Sequence, residues 1–357
     1  MPNLTVAISA HGYGHAAQTA PVVEALASLV PDLKVMLHSD LPAAVLRQFF
    51  PMARGVTSPL IDLGMRMRSA FEVDRPRTAH LYTAMHVDFA RSVESEAERL
   101  RRTEPDLVLA NISYLALAAA ARLGVPSVGL CSLTWLPMLA HYCGDMPDAA
   151  RIQAEMLAAY RAASLLIAPT PAMPMPQLET LSVGPVARLA ADDARAQLVR
   201  AMRLGPGERA VLVSLGGIAQ SLPFAQWPAI PGVRFLLSAP QAPGRADMQP
   251  VASLKLDHLD CLAGCDALVT KVGYGSLVEA TCHGIPIVFA RRGDWPDEES
   301  LIGWTVEQGR MAEIPRPELE QGTLAAALQQ LWSEPAKEPV NPTGNLEAAE
   351  AIMTLLR

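Results

Sequence analysis

The stretch CDALVTKVGYGSLVEATCHGIPIVFARRGDWPDEE, residues 265–299, decides the fold. It contains a buried strand, a loop with Gly273 and Gly275, a short helix and, after the stop signal at Gly284, a second strand. The two glycines let the backbone approach a ligand closely, and a helix that starts near Ser276 points free N–H groups into the same space. Because such a helix start attracts anions, the segment predicts an α/β unit with a phosphate-binding loop.

The start of this helix has two interpretations. The pattern Ser276-x-x-Glu279 matches a capping box, in which the two side chains satisfy only the N–H groups of the helix itself. Alternatively, Glu279 lies one turn inside the helix and reaches groups next to the anion, such as the two hydroxyls of a ribose. Taken alone, the pattern favours the capping box.

The same alternation of strand and helix runs through the whole chain. Short buried strands are predicted in the first half at 4–9, 34–38, 106–110, 127–131 and 165–168, and in the second half at 211–215, 233–238, 267–270 and 285–290. Closely spaced prolines between 169 and 185 mark a connection between the halves. The pattern predicts the α/β class, with two Rossmann-like α/β/α domains at 1–183 and 184–340 that face each other across a cleft. Residues 341–357 are predicted to form a terminal helix that packs back on the first domain.

Composition excludes several classes of protein. The 357 residues are 50% hydrophobic and 18% charged, with a net charge of −7, so there is no basic surface for nucleic acid. No apolar run approaches the roughly 20 residues of a membrane-spanning helix, and no secretory signal is present, so we expect a cytoplasmic protein. The five cysteines have irregular spacing and are predicted to be reduced and buried rather than metal ligands.

The run TKVGYGSLVEATCHGIPIVF, residues 270–289, resembles the nucleotide-sugar signature of GT-B glycosyltransferases. It is similar to a bacterial glycosyltransferase-like group related to the amino-terminal part of plant L-arabinokinase. The resemblance implies the GT-B fold, with an acceptor-binding first domain and a donor-binding second domain. It further implies that Gly275 and Ser276 hold the donor diphosphate and that Glu279 holds the ribose.

Other segments extend the resemblance. VLVSLGG at 211–217 is similar to the first strand and phosphate-proximal loop of a donor domain, and LKLDHLDCLAGCDALVT at 254–270 to the segment that reads the base. In the acidic loop after the signature we expect Glu298, and next to it Asp297, to contact the donor sugar, although the glutamine usual there is missing.

Lys271 either offsets diphosphate charge or is a plain surface charge. The donor-binding candidates are Gly216, Gly217, His258, Leu259, Lys271, Gly273, Tyr274, Gly275, Ser276, Glu279, Asp297 and Glu298.

The catalytic candidates follow the first strand, in AHGYGHAAQ at 10–18. The resemblance implies that a histidine here is the general base, for which a pKa near neutrality is suited, with His15 the better match and His11 the second. Asn111 stands where many relatives have an aspartate partner for this histidine. An asparagine orients an imidazole but cannot balance its charge. Either another acid such as Asp40 or Asp88 substitutes, or the base is weaker, or sugar transfer does not occur.

The leading hypothesis is therefore an inverting, metal-independent glycosyltransferase of hexosyltransferase type. Its co-substrate is a nucleotide-diphosphate sugar, with a UDP-sugar favoured, and no permanently bound cofactor or metal is expected. The acceptor is a small molecule or a lipid-linked sugar, which leaves peripheral membrane contact open. The alternatives are a catalytically degenerate nucleotide-binding or sensor protein and a nucleotide-sugar epimerase. A dehydrogenase, suggested by Gly12-x-Gly14-x-x-Ala17, is the weakest because that fingerprint alone has low specificity.

Overall fold

The computed structural model describes residues 1–60, 62–217, 222–239 and 242–356. Within them, the first sheet contains the strands β1 (Asn3–Ile8), β2 (Lys34–His38), β3 (Gly55–Thr57), β4 (Leu107–Asn111), β5 (Ser127–Leu130), β6 (Leu165–Thr170) and β7 (Leu181–Pro185). The second contains β8 (Arg209–Val213), β9 (Val233–Leu237), β10 (Met248–Pro250), β11 (Ala267–Lys271), β12 (Ile287–Ala290) and β13 (Met311–Glu313).

Helices cover both sheets. Those of the first half are α1 (Gly14–Leu29), α2 (Ala43–Phe49), α3 (Arg75–His86), α4 (Phe89–Arg101), α5 (Tyr114–Leu123), α6 (Trp135–Cys143) and α7 (Ala149–Arg161). Those of the second half are α8 (Ala194–Met202), α9 (His258–Gly264), α10 (Tyr274–Cys282), α11 (Glu298–Gln308), α12 (Arg316–Gln321), α13 (Ala325–Ser333) and α14 (Gly344–Met353). No helix of the described ranges is long and apolar enough to cross a membrane.

All named strands pair in parallel, in the order β3-β2-β1-β4-β5-β6-β7 in one sheet and β10-β9-β8-β11-β12-β13 in the other. In each sheet the order reverses between two central neighbours, β1 and β4 in the first and β8 and β11 in the second. Open parallel sheets bind ligands beyond the carboxyl ends of the strands at such a reversal. The residues expected there are those that follow β1, β4, β8 and β11.

Side-chain alternation along the strands builds the layers. In β1, Leu4, Val6 and Ile8 enter a core shared with α1, whereas Ala7 enters the core on the opposite face. In β11, Ala267 and Val269 likewise point to one core and Leu268 to the other. Because both faces of each sheet are covered, the strands read as nearly continuous apolar runs, as parallel strands do. All five cysteines are free thiols buried in the protein.

Two boundaries differ from the sequence-based expectation. The helix after Gly273 starts at Tyr274 and not near Ser276, and no side chain caps it. Ser276 is therefore the third helical residue, and the capping-box interpretation is wrong because its hydroxyl lies inside the helix rather than before it. Strand β7 also continues to Pro185, past the expected division at 183, because it pairs with β6 of the first sheet.

The carboxyl-terminal helix lies on the first half of the chain. Three small or branched residues of α14, Ala348, Ala349 and Ile352, belong to the same core as the first strand and α1. Asn345 anchors the helix start by accepting from the backbone N–H of Ala187 at 3.2 Å and donating to its carbonyl at 2.8 Å. The chain thus crosses twice between the two sheets.

Candidate active site

The loops at the two strand-order reversals meet. A Cβ atom on Gly275 would lie 3.6 Å from the Cβ of Ala17 and 3.9 Å from the Cα of Gly14, so the starts of α1 and α10 face each other. A Cβ on Gly217 would lie 2.8 Å from the Cγ and 2.9 Å from the backbone nitrogen of Tyr13. Glycine is required at 217 for this approach, and Gly216 next to it has a φ of +81°. The two halves therefore form one cleft.

His15 lies in the first turn of α1, with Nδ1 2.9 Å from the Oδ1 of Asn111 at the end of β4. The Nδ2 group of Asn111 donates to the Oε1 of Gln18 at 3.0 Å. Since that bond turns Oδ1 towards the imidazole, we assign the ring proton to Nδ1, which leaves Nε2 as the acceptor. Burial lowers the pKa of His15 to about 4, so the ring is neutral at pH 7.

Neither acid considered as a substitute for Asn111 bonds to His15. Asp88 caps α4 by accepting from the backbone N–H of Arg91 at 3.0 Å, and Asp40 is exposed after β2. The partner of His15 is therefore an amide. It fixes the orientation of the ring without adding a negative charge.

His11 lies between two tryptophans, one from each half. Its ring centroid is 5.1 Å from that of Trp135, edge to face, and 6.0 Å from that of Trp295, with the planes at 13°. Its buried Nε2 has no hydrogen-bond partner among the described residues. Burial and then the neighbouring charge of His15, followed by those of Arg292 and Lys271, lower the pKa of His11 to about 3.

Two basic side chains converge on the donor side, and no carboxylate of the described residues is hydrogen-bonded to either. Lys271 ends β11 and is 7% exposed, and its Nζ lies 3.9 Å and 3.8 Å from where Cβ atoms on Gly216 and Gly273 would be. It forms no hydrogen bond or ion pair within the described ranges, although the charges of Asp297 and Glu298 act on it. The Nε of Arg292 is also buried without a described partner, and its Cζ stacks 4.3 Å from the centroid of Trp295. Burial first, and then the charge of Arg292, hold the pKa of Lys271 well below its usual range.

The two carboxylates expected to contact the donor sugar, Asp297 and Glu298, have different surroundings in the structure. Glu298 accepts from the backbone N–H groups of Arg292 at 2.7 Å and Gly293 at 3.4 Å, so it holds the loop after β12. Asp297 is 5% exposed and its Oδ1 has no described partner. Burial raises the pKa of Asp297 to about 6. Asp297, rather than Glu298, is the carboxylate available to a ligand.

Glu279 is 5% exposed in α10, and its Oε1 accepts from the Nε of Arg188 at 3.0 Å. The Arg188 guanidinium in turn lies 4.5 Å over the ring of Phe49 in the first half. Burial raises the pKa of Glu279, and the charge of Arg188 opposes the shift. The pair holds the Glu279 carboxylate in place.

Tyr274 and His258 have structural partners. The hydroxyl of Tyr274 donates to the carbonyl of Thr170 at 2.9 Å and accepts from the N–H of Val186 at 3.0 Å, so its side chain joins α10 to the connection between the halves. Because both hydrogen bonds of the hydroxyl are made within the protein, any donor contact of Tyr274 is left to its ring or backbone and stays a prediction. The Nε2 of His258 lies 3.1 Å from the Oγ of Ser214 after β8, and burial lowers its pKa to about 4. Leu259 follows it, half-buried, in α9.

Sequence analysis did not identify three residues that line the site in the structure. Arg188 lies in the proline-rich connection and Arg292 beside an ordinary strand end, where nothing in the local pattern distinguishes them from surface charges. Asp62 accepts a hydrogen bond from the Nε1 of Trp135 at 3.0 Å and has no motif around it. No group of three or more His, Cys, Asp or Glu residues in the described ranges could hold a metal ion.

Solved structures similar to this chain are glycosyltransferases. The glycotransferase of kitacinnamycin superposes with a TM-score of 0.65 and 17% identity over 100% of both chains. CalG4, the calicheamicin glycosyltransferase, has a TM-score of 0.61 and 15% identity over 99% of this chain and 94% of its own. The chain therefore has the GT-B fold, and the predicted fold class is confirmed.

One protein similar in sequence to this chain is a plant protein, as the resemblance predicted. The chain is similar to L-arabinokinase of Arabidopsis thaliana, with 26% identity over 306 residues, which are 83% of this chain and 28% of that protein. It thus spans little more than a quarter of its relative's length. No family model matches the chain.

Proposed function

We propose that the protein transfers a hexose from a nucleotide-diphosphate sugar to an acceptor hydroxyl, with inversion and without a metal ion. The observation that carries the proposal is the position of a neutral, oriented imidazole across the cleft from Lys271 and Arg292, two buried basic side chains to which no carboxylate of the described residues is hydrogen-bonded. His15 on one wall of the cleft would activate the acceptor hydroxyl, and Lys271 and Arg292 on the other wall would stabilise the leaving diphosphate.

The donor diphosphate lies between the turns at Gly216 and Gly273. Lys271, Arg292 and the free N–H groups at the start of α10 offset its charge. The Glu279 carboxylate accepts from the ribose, and the backbone at His258 and Leu259 reads the base. UDP is the favoured nucleotide because one structural neighbour, with a TM-score of 0.60 and 15% identity over 99% of this chain and 98% of its own, is a UDP-glucosyltransferase from Polygonum tinctorium.

The reaction is a single displacement. The Nε2 atom of His15 takes the proton of the acceptor hydroxyl while its oxygen bonds to the anomeric carbon. The bond from that carbon to the diphosphate oxygen breaks on the opposite face, and its electron pair leaves with the nucleotide. Asp297 accepts a hydrogen bond from a donor-sugar hydroxyl and thereby positions the ring.

Nucleotide binding and turnover test the proposal together. The melting temperature is measured with UDP-, TDP- and GDP-glucose, and donor consumption is followed with and without EDTA. We expect stabilisation by UDP-glucose, turnover that EDTA leaves intact, and its loss in His15→Ala but not in His80→Ala, which alters an exposed histidine. The absence of stabilisation by every nucleotide would reject the proposal.

A degenerate nucleotide-binding protein is the second candidate, and the amide partner of His15 favours it because no carboxylate stabilises the imidazolium that forms. It predicts the same melting shifts with no product under any condition. An epimerase predicts a changed donor sugar in the absence of acceptor, which analysis of the recovered nucleotide sugar distinguishes.

A further inference from the structure

Buried polar atoms without a partner gather on the acceptor side of the cleft. Among the described residues they include the Nε2 of His11, the Oδ2 of Asp62, the Nε of Arg66, the hydroxyl of Tyr82 and the Oγ1 of Thr134. Folded proteins pair nearly all such groups, because an unpaired one loses its hydration without compensation. Their concentration in one region indicates that a polar ligand completes them.

Trp135 connects this group to the catalytic histidine. Its Nε1 donates to the Oδ1 of Asp62 at 3.0 Å, and Oδ2, with the Ser9 side chain nearby, has no hydrogen-bond partner among the described residues. The indole centroid lies 5.1 Å from the ring of His11 and 5.7 Å from that of His15. Asp62 and the proposed base therefore border the same indole ring, which brings both to the same part of the cleft.

The types of these groups restrict the ligand. A carboxylate only accepts, a guanidinium only donates, and the hydroxyls of Tyr82 and Thr134 do both. An apolar ligand would leave the Asp62 carboxylate buried and unpaired. The charges of Asp62 and Arg66 act on each other and largely cancel, so the pair favours neither an anion nor an ammonium group. Adjacent neutral hydroxyls satisfy both donors and acceptors.

We infer that the acceptor is a neutral polyhydroxylated compound, a small sugar or polyol, and that Asp62 binds a hydroxyl next to the one that His15 deprotonates. The inference rests on the proposed function, since it names the acceptor of that reaction. Asp62 is a binding and specificity residue, whereas His15 is the catalytic residue. Burial raises the pKa of Asp62 to about 6, so the carboxylate is ionised at neutral and higher pH.

A comparison of acceptors at pH 7.5 tests which class of compound the protein uses. With UDP-glucose as donor, initial rates are measured with glucose, myo-inositol and glycerol, with glucosamine and glucuronate as charged probes, and with 4-nitrophenol as an apolar one. We expect the best neutral polyol to exceed each charged or apolar probe at least about tenfold in kcat/KM, because a site built for hydroxyls rejects compounds that leave its groups unpaired.

Single substitutions test whether Asp62 binds the acceptor. Asp62→Asn should raise the KM for the best neutral polyol about tenfold and change kcat less, and Tyr82→Phe, which removes only a hydroxyl, should act in the same direction. Asp40→Asn, at an exposed carboxylate, should leave both constants unchanged. The melting shift caused by UDP verifies that each variant is folded.

The outcomes separate the two proposals. If UDP-glucose stabilises the protein and is slowly hydrolysed, but no neutral polyol outperforms 4-nitrophenol, the acceptor class is wrong and the proposed function stands. An unchanged polyol KM in both Asp62→Asn and Tyr82→Phe removes Asp62 from the acceptor site. If no nucleotide sugar binds, the proposed function fails and the inference fails with it.

Discussion

The Nδ1 atom of His15 lies 2.9 Å from the Oδ1 of Asn111, and the other end of the same amide is bonded to Gln18. This relay orients the imidazole through two neutral side chains. An amide stabilises the imidazolium less than a carboxylate does, so the strength of the base is set here by burial rather than by charge.

The first prediction concerns that relay. Asn111→Asp should raise the pKa of His15 by at least about one unit and increase kcat, because a carboxylate stabilises the imidazolium formed during proton transfer. The fold accommodates the change because the Nε2 of Gln18 is buried without a described partner, and a flipped Gln18 amide can donate to the new carboxylate. NMR titration of His15 together with kcat measures both effects.

Asn111→Ala is the matched control, since it removes the orienting group and should lower kcat about tenfold or more. A raised pKa of His15 without any rise in kcat would show that base strength does not limit the rate.

The second prediction gives Lys271 opposite effects on stability and on binding. Lys271→Met removes a buried ammonium group whose loss of hydration outweighs its attraction to Asp297 and Glu298, so the nucleotide-free protein should gain about 1 kcal/mol in unfolding free energy. The same change should weaken UDP binding at least about tenfold, because one charge facing the diphosphate is lost. Chemical denaturation and titration calorimetry measure the two quantities.

Lys34→Met serves as the control at the amino end of β2, away from the cleft, and should leave UDP affinity unchanged. Unaltered UDP binding in Lys271→Met would place the diphosphate elsewhere.

The third prediction assigns the acid limb of the pH profile to Asp297. Burial raises the pKa of Asp297 to about 6 and lowers that of His15 to about 4. As the pH falls from 7 to 5, Asp297 becomes protonated and loses its acceptor role while His15 stays neutral and able to take a proton. The kcat/KM for the donor should therefore fall through pH 6, measured at saturating acceptor so that Asp62 does not contribute.

In Asp297→Asn the profile should be lower, by about tenfold at pH 7.5, and flat between pH 5 and 8, because no group titrates at that position. An acid limb near pH 6 that persists in this variant would assign it to a different group.

The fourth prediction concerns the contact between the two halves. Gly217→Ala places a Cβ 2.9 Å from the backbone nitrogen of Tyr13, which cannot rotate away as a side chain can. The loops of the two walls must separate, so kcat/KM should fall about tenfold, since small displacements of reacting groups are costly to rate. Steady-state kinetics and a melting curve measure the change.

Gly303→Ala is the control, because a Cβ there meets nothing within 4 Å and lies in the middle of α11. It should leave kinetics unchanged and slightly raise stability. Equal kinetics for the two alanine variants would mean that the Tyr13 contact is not present during turnover.

Local sequence determined much of this protein. Apolar runs separated by amphipathic segments dictate parallel strands and covering helices, because periodicity is a property of near neighbours. The glycines at 273 and 275 likewise indicate, from the local sequence alone, a loop whose backbone can approach a ligand closely. These signals sufficed for the fold class, whereas the helix on the donor side starts at Tyr274, two residues before the expected Ser276.

Only the tertiary structure decided which side chains are free to act. The loop sequence offers Asp297 and Glu298 equally, but Glu298 bonds the backbone of Arg292 and Gly293. Tyr274 sits within the donor signature, yet its hydroxyl is used by residues about 90 to 100 positions away, Val186 and Thr170. Arg188 and Asp62 acquire their roles from Glu279 and Trp135, which are distant in the chain. Partnership and burial across two sheets are long-range properties, and no local pattern encodes them.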